Sequence, residues 1–167
     1  MKLAGQFVAY ALFFMLVAAL SAGPGLRLLG DDEAIVSLSF SHAAKRIGEC
    51  TRLSQDELDA LPPNMRKPDR CPRERHPLRI EMLLDGQSLF KASIAPSGLH
   101  SDGKATVYER VTVSAGIREL SIHMNDSGTS GRDDYSVTEQ VQISPGENLV
   151  VYFDADAQQF KIEQAVR

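Results

Sequence analysis

Polar and apolar residues alternate with a period of two along most of the chain after residue 33, and this pattern predicts β-strands. In the segment 78–84, every second residue from Leu78 to Leu84 is apolar, with Arg79 and Glu81 between them. Similar alternation predicts eight short strands, at 34–40, 78–84, 88–94, 106–113, 117–124, 135–143, 148–153 and 159–164.

The segments between these strands carry turn signals. Asp85-Gly86 supplies the pair of left-handed residues that a two-residue hairpin needs, and Ala115-Gly116 and Ser144–Glu147 are further turns. Short strands joined in this way predict a mainly β fold, an antiparallel β-sandwich of about eight strands of immunoglobulin-like or prealbumin-like type.

The N-terminus has a different pattern, a long apolar run without alternation. Residues 3–26 contain no charged side chain, and 7–22 are apolar except Tyr10 and Ser21. About 20 residues at about 1.5 Å each cross the hydrocarbon core of a bilayer as a helix. This predicts a transmembrane helix that Gly23-Pro24-Gly25 would end, and a signal peptide with small residues at its cleavage site is the alternative.

Flanking charges predict the orientation of that helix. Lys2 and the amino terminus lie on one side, and Asp31, Asp32 and Glu33 lie on the other. The positive-inside rule then places the chain in the inner (plasma) membrane as a single-pass protein with its C-terminal domain in the periplasm or otherwise outside the cytoplasm. The predicted domains are an anchor or uncleaved signal at 1–26, a juxtamembrane linker at 27–33, and an exported sandwich at 34–167 with an insert at 41–77.

Three stretches carry a resemblance to a known family. "LLDGQSLFKASI", "VTVSAGIRELSIHMND" and "VQISPGENLVVYFD" each combine strands with a glycine-containing turn. Residues 78–154 resemble the small prealbumin-like and PEGA-type β-sandwich modules of bacterial envelope proteins. The resemblance implies a structural or binding unit and carries no catalytic residue, and the chain departs from it in the insert.

That insert contains one short predicted helix. Ser54 followed by Glu57 forms a capping box, because each side chain satisfies a backbone N–H at the start of the helix. Pro62-Pro63 ends the helix by Leu61, since proline removes a donor and disfavours helix in the preceding residue. A helix of about two turns needs tertiary support.

Cys50 and Cys71, the two cysteines of the chain, flank this helix. In an exported domain an isolated pair predicts a disulfide, which would close a loop of about 20 residues. The alternative is a metal site of His42, Cys50, Cys71 and His76. Their spacing matches no zinc pattern, and no paired C-x2-C accompanies it.

Charge is distributed unevenly. The formal net charge is −4, but residues 41–79 carry nine Lys/Arg against six Asp/Glu, whereas 80–167 carry seven against thirteen. A solvated face of weak ion pairs is the simpler interpretation of this cluster. The other is a docking surface for an acidic partner or anionic lipid headgroups, made of Arg52, Arg66, Lys67, Arg70, Arg73 and Arg75.

Candidate catalytic chemistry is sparse. Four histidines lie in different segments, and the sequence has no nucleophile elbow, P-loop or dinucleotide fingerprint. His123 is predicted on the outer face of a strand. Asp126, Asp133 and Asp134 lack the spacing of a calcium loop, so "NDSGTSGRDD" (125–134) is predicted to be a mobile surface loop.

These patterns together predict a membrane-anchored, non-catalytic accessory or interaction subunit of a membrane assembly, docking through its stapled basic loop. No cofactor and no nucleic-acid partner are expected, because the body is acidic and exported. A periplasmic protein that binds a metal or small ligand through His42, Cys50, Cys71 and His76 is the alternative function.

Overall fold

A computed structural model of the chain describes residues 2–22 and 29–164. It divides into two compact units, residues 1–30 and residues 31–167. The predicted helix-ending Gly23-Pro24-Gly25 and the start of the predicted linker lie outside the described residues.

The first unit contains helix α1, Lys2–Ser21. Its segment Leu3–Ser21 has a mean hydropathy of 2.1. A helix of this length and composition is able to cross a membrane. A signal sequence near the N-terminus has the same length and composition.

The second unit is mainly β. Its larger strands are β1 Glu33–His42, β4 Leu78–Leu84, β5 Gln87–Ile94, β6 Ala105–Ser114, β7 Gly116–Asn125, β8 Tyr135–Ile143, β9 Asn148–Asp154 and β10 Gln159–Gln164. The insert holds the two-residue strands β2 Thr51–Arg52 and β3 Asp69–Arg70, helix α2 Gln55–Asp59 and a 3-10 turn, Pro63–Met65. All eight strands predicted from alternation are therefore confirmed.

Two four-stranded sheets form the sandwich. One has the strand order β10-β9-β1-β6 and the other β5-β4-β7-β8. Every ladder is antiparallel except β1–β9, which is parallel and pairs Ile35–Leu38 with Asn148–Val151. At the two edges β5 lies beside β6, and β8 beside β10.

The core lies between the inner faces of these sheets. The burial pattern of β4 is the one that its alternating sequence predicts. The even-numbered residues are buried, and Arg79, Glu81 and Leu83 are half-buried on the outer side. Met82 and Met124 are fully buried, as their positions in the alternation predict. Aromatic rings of Phe40, Phe153 and Phe160 close one part of the core, with centroids 5.1 to 6.1 Å apart.

The β4–β5 hairpin turns at Asp85-Gly86, where both residues have positive φ (51° and 77°). The Asp85 carboxylate accepts hydrogen bonds from the Glu119 N–H and Arg118, each at 2.9 Å. Those hydrogen bonds, from the Glu119 N–H first and then from Arg118, lower the pKa of Asp85.

Candidate functional site

The insert forms an ordered arm, which we define as residues 46–77 and call the basic arm. Cys50 and Cys71 are joined by a disulfide, as predicted, with Cα atoms 4.1 Å apart. Beside it, β2 pairs antiparallel with β3, and the Leu53 N–H donates to the Pro68 carbonyl at 2.8 Å. A strand of two residues is too short to show alternation, so the sequence did not predict β2 and β3.

Helix α2 has the predicted capping box. Ser54 is the N-cap, its hydroxyl accepts from the Glu57 N–H, and the Glu57 carboxylate accepts from the Ser54 N–H at 2.8 Å. Hydrogen bonds from Ser54 lower the pKa of Glu57, and the nearby charge of Arg70 adds to the effect. Leu53 and Leu58 are half-buried, as expected for residues flanking a helix start.

The base of the arm is tied to the sandwich by two of the predicted partner-binding arginines. Arg75 donates to the Ala44 carbonyl at 2.7 Å and to the Asp102 carbonyl at 3.0 Å. Arg73 forms an ion pair with the Asp102 carboxylate, and its hydrogen bonds lower the pKa of that carboxyl group. Both guanidinium groups therefore help to hold the arm in place.

The other four predicted cations are exposed. Arg66 donates to the carbonyls of Leu61 and Asp59, at 2.9 and 3.2 Å. Within the part of the chain that the structure describes, no carboxylate oxygen lies within 4.0 Å of Arg52, Lys67 or Arg70. Among the predicted partner-binding residues, these three therefore present unpaired positive charge to solvent.

The disulfide contradicts the four-residue metal site, because disulfide sulfurs are not thiolate ligands. His42 is buried and its Nε2 is hydrogen-bonded to Asp126, and the backbone N–H of His76 donates to the Lys45 carbonyl at 2.9 Å. No group of three or more His, Cys, Asp or Glu side chains that could hold a metal occurs among residues 2–22 and 29–164.

A buried polar network lies at one end of the sandwich, and sequence reasoning missed it. His42 Nε2, at the end of β1, is hydrogen-bonded at 2.9 Å to Asp126 Oδ2, just after β7. The two residues are 7% and 2% exposed. Lys45 Nζ lies 3.3 Å from an oxygen of each of Asp126 and Asp134, so one cation bridges two carboxylates.

Asp134 is the most strongly bonded carboxylate of this network. Its Oδ2 accepts from the N–H groups of Asp126 (3.0 Å) and Ser127 (2.9 Å). Burial alone would raise the pKa of Asp134, but the hydrogen bonds from Ser127 and Asp126, together with Lys45, lower it well below its usual range. For Lys45, burial acts to lower the pKa, and the two carboxylates outweigh that effect and raise it.

The loop 125–134 is built around Asn125, and the mobility that its composition predicts stays a prediction. The Asn125 amide donates to the Thr129 and Arg132 carbonyls at 3.0 and 2.6 Å, and its oxygen accepts from the Gly128 N–H at 3.2 Å. Gly128 has φ +73°, and its Cα lies against the ring of His76. Internal hydrogen bonds therefore shape this loop.

This loop borders a groove of about 700 Å³ on the outer face of the β5-β4-β7 sheet. Two cross-strand rows form its floor, Ser93–Arg79–Asn125 and Lys91–Glu81–His123. His123 thus lies on the outer face, as predicted, with Nδ1 3.0 Å from the Asp133 carboxylate.

Charges in the groove are partly paired. Lys91 Nζ donates to Glu81 at 2.8 Å, and the Ser88 hydroxyl donates to the other oxygen at 3.0 Å. These hydrogen bonds, from Lys91 first, lower the pKa of Glu81. The Arg79 guanidinium is different, because its acceptors are neutral: the Asn125 side-chain oxygen and the Thr129 carbonyl, both 2.9 Å from Nη2.

The sequence contains a partial signal for this groove, since its charged residues lie at outward positions of the alternating strands. Arg79, Glu81, Lys91 and His123 all occupy outward positions of their predicted strands. Only the strand order, with β4 between β5 and β7, brings them together, and alternation does not give strand order.

Comparisons with known proteins add no family. No protein-family model matches the chain, and no curated protein matches it in sequence. The prealbumin-like resemblance of residues 78–154 therefore stays a prediction.

Proposed function

We propose that this protein is a non-catalytic interaction subunit, anchored by α1 in the inner (plasma) membrane, whose sandwich lies outside the cytoplasm and docks on an acidic protein partner. An apolar helix able to cross a membrane and a disulfide in the following domain fit a membrane-anchored extracytoplasmic domain. The proposal adds three points: the domain lies outside the cytoplasm, its partner is an acidic protein, and its role is that of an interaction subunit.

The observation that carries the proposal is an ordered arm that contributes no residue to the hydrophobic core. A disulfide, the β2–β3 ladder, a capping box and the Arg73 and Arg75 contacts restrain its conformation. Ordering exposed residues costs roughly 1 to 2 kcal/mol of backbone entropy each. A pre-ordered surface lowers that cost on association, which suits a docking element.

The exposed side chains of the arm suit an acidic partner surface. Arg52, Lys67 and Arg70 present positive charge, and the side chain of Met65 between them along the chain is 60% exposed. Methionine and arginine are enriched in protein interfaces. Anionic lipid headgroups share the charge that these cations recognise, and contact with them is an outcome of the test below.

The test is purification of the tagged full chain from its native membrane in mild detergent, compared with Arg52→Glu/Lys67→Glu/Arg70→Glu. The control is Arg110→Glu, which reverses the charge of an exposed arginine on β6, in the β10-β9-β1-β6 sheet. We expect a stoichiometric protein partner with the unmodified chain and the control, and its loss with the triple variant.

Three results would contradict the proposal: a strictly monomeric chain, retention of the partner by the triple variant, or equal loss in the control. Binding of the purified chain to anionic but not neutral vesicles, with no protein partner, would replace the acidic protein by a lipid surface.

A further inference from the structure

We propose that the groove on the outer face of β5-β4-β7 binds a small organic anion, whose carboxylate or phosphate group is held by Arg79 and Arg132. The proposal is separate from docking through the basic arm. No residue of the metal alternative, His42, Cys50, Cys71 or His76, lines this groove.

Arg79 is pre-positioned for such a ligand. Its Nε and Nη2 atoms bond to Asn125 and Thr129, and Asn125 is itself fixed by three hydrogen bonds within the loop. Nη1 makes none of these bonds. A guanidinium held on one side by neutral oxygens keeps its full charge and an edge of N–H donors, which is the arrangement that binds carboxylate or phosphate.

Two ordered arginines differ from Arg79 in this respect, whereas Arg75 also bonds to neutral carbonyls but does not line the groove. Arg73 and Arg118 are ion-paired with Asp102 and Asp85, so their charges are already compensated. No carboxylate oxygen lies within 4.0 Å of Arg79 or Arg132 in residues 29–164. Arg132 lines the same groove and is exposed, with its side chain free of hydrogen bonds inside this part of the chain.

The groove as a whole has an excess of positive charge in an acidic protein. Three permanent cations line it, Arg79, Lys91 and Arg132, against the carboxylates of Glu81 and Asp133. Glu81 is occupied by Lys91 and Ser88. Asp133 Oδ2 lies 3.0 Å from His123 Nδ1. The three cations exceed the two carboxylates by one charge, and the two guanidinium groups are the sites for an incoming anion.

The size of the groove fits a small molecule. Ligand sites in proteins enclose roughly 300 to 1,000 Å³, and about 700 Å³ falls in that range. Half-buried Leu83, an outward residue of β4, adds apolar surface beside the charges. An anion with a short carbon skeleton matches this combination of guanidinium donors and limited apolar area.

Isothermal titration of the full chain in nonionic detergent tests the proposal with three probes: succinate, inorganic phosphate and the neutral succinamide. We expect saturable binding of succinate, phosphate or both, and none of succinamide. The two anions tell whether the site takes a carboxylate or a phosphate. In a parallel titration followed by NMR, the Arg79 Nε–H resonance should shift on addition of the anion that binds.

Variants assign the site. Arg132→Gln should weaken anion binding by about tenfold or more, because one charge-assisted contact is lost, without removing any contact that supports the fold. Arg110→Gln, on the opposite sheet, should leave binding unchanged. Failure of both anions to bind, equal binding by Arg132→Gln, or equal binding of succinamide would overturn the proposal.

Discussion

Asp134 shows how one carboxylate stabilises an end of the sandwich. It accepts from two backbone N–H groups and lies 3.3 Å from the Lys45 ammonium group. Removing an acceptor from two partly buried donors leaves them without partners. Loss of this acceptor should therefore cost about 1 to 3 kcal/mol.

The first prediction concerns the pH dependence of stability. Because folding lowers the pKa of Asp134, its contribution is fully present above the unfolded-state pKa of about 4 and is lost as the pH falls toward the lower folded-state pKa. We expect the free energy of unfolding to fall more steeply from about pH 5 to about pH 2 in the unmodified chain than in Asp134→Asn.

Urea unfolding at several pH values measures this difference. Asp156→Asn, a change of an exposed carboxylate in the β9–β10 turn, is the control. Parallel pH profiles for the unmodified chain and Asp134→Asn would show that Asp134 does not titrate differently in the folded protein.

The second prediction concerns Gly128. A Cβ at this position would overlap the imidazole ring of His76, and the backbone has φ +73°. Gly128→Ala should therefore destabilise the protein by about 2 to 4 kcal/mol, from backbone strain and the displaced ring.

Gly131→Ala is a matched control, because Gly131 has the same φ of +73° but nothing within 4 Å of a Cβ. It should cost only the strain, about 1 to 2 kcal/mol. Equal losses in thermal or urea unfolding would show that the His76 contact has no energetic weight.

Individual residues were predictable where the cause is local. The capping box joins residues three apart, and the Asp85-Gly86 turn depends on two neighbours, so the sequence contains the full signal. His42 and Asp126 are 84 residues apart, and nothing beside either residue indicates the pairing. Composition alone likewise gave no sign of the Asn125 hydrogen bonds that shape the 125–134 loop.

At the scale of elements, the outer part of the basic arm is held by contacts of its own. Hydrogen bonds such as Leu53 N–H to Pro68 O lie within the arm, and the core cluster contains no arm residue. The disulfide closes a segment of sequence separation 21, which corresponds to about 3 kcal/mol of chain entropy.

The third prediction follows from that separation. In Cys50→Ala/Cys71→Ala, hydrogen exchange at Leu53 should accelerate by roughly a hundredfold, the equivalent of about 3 kcal/mol of local opening. Exchange at Ile80, in the middle of the core strand β4, should stay unchanged. Equal acceleration at both amides would contradict the independence of arm and core.

Strands were the most predictable elements because a sandwich buries one face of each strand. The alternation of polar and apolar residues therefore shows which face is buried. The eight predicted strands differ from the observed ones by at most two residues at an end. Strand order and the parallel β1–β9 pairing were not predictable, since alternation is the same for either neighbour. The groove depends on that order and was missed with it.

At the scale of the whole molecule, the protein has an apolar helix and a disulfide-bearing sandwich with two separate charged surfaces. The arm presents Arg52, Lys67 and Arg70, and the groove presents Arg79 and Arg132. The two surfaces can be tested independently, because charge reversal on the arm should not affect anion binding in the groove.

The central claim, a retained anchor on an oxidised domain outside the cytoplasm, has one direct test. It is the intact mass, under non-reducing conditions, of the chain extracted from washed membranes. We expect a mass that includes residues 2–22 and is lower than that of the reduced chain by two hydrogen atoms. A mass without the α1 segment, or one with both thiols of Cys50 and Cys71 free, would contradict the account.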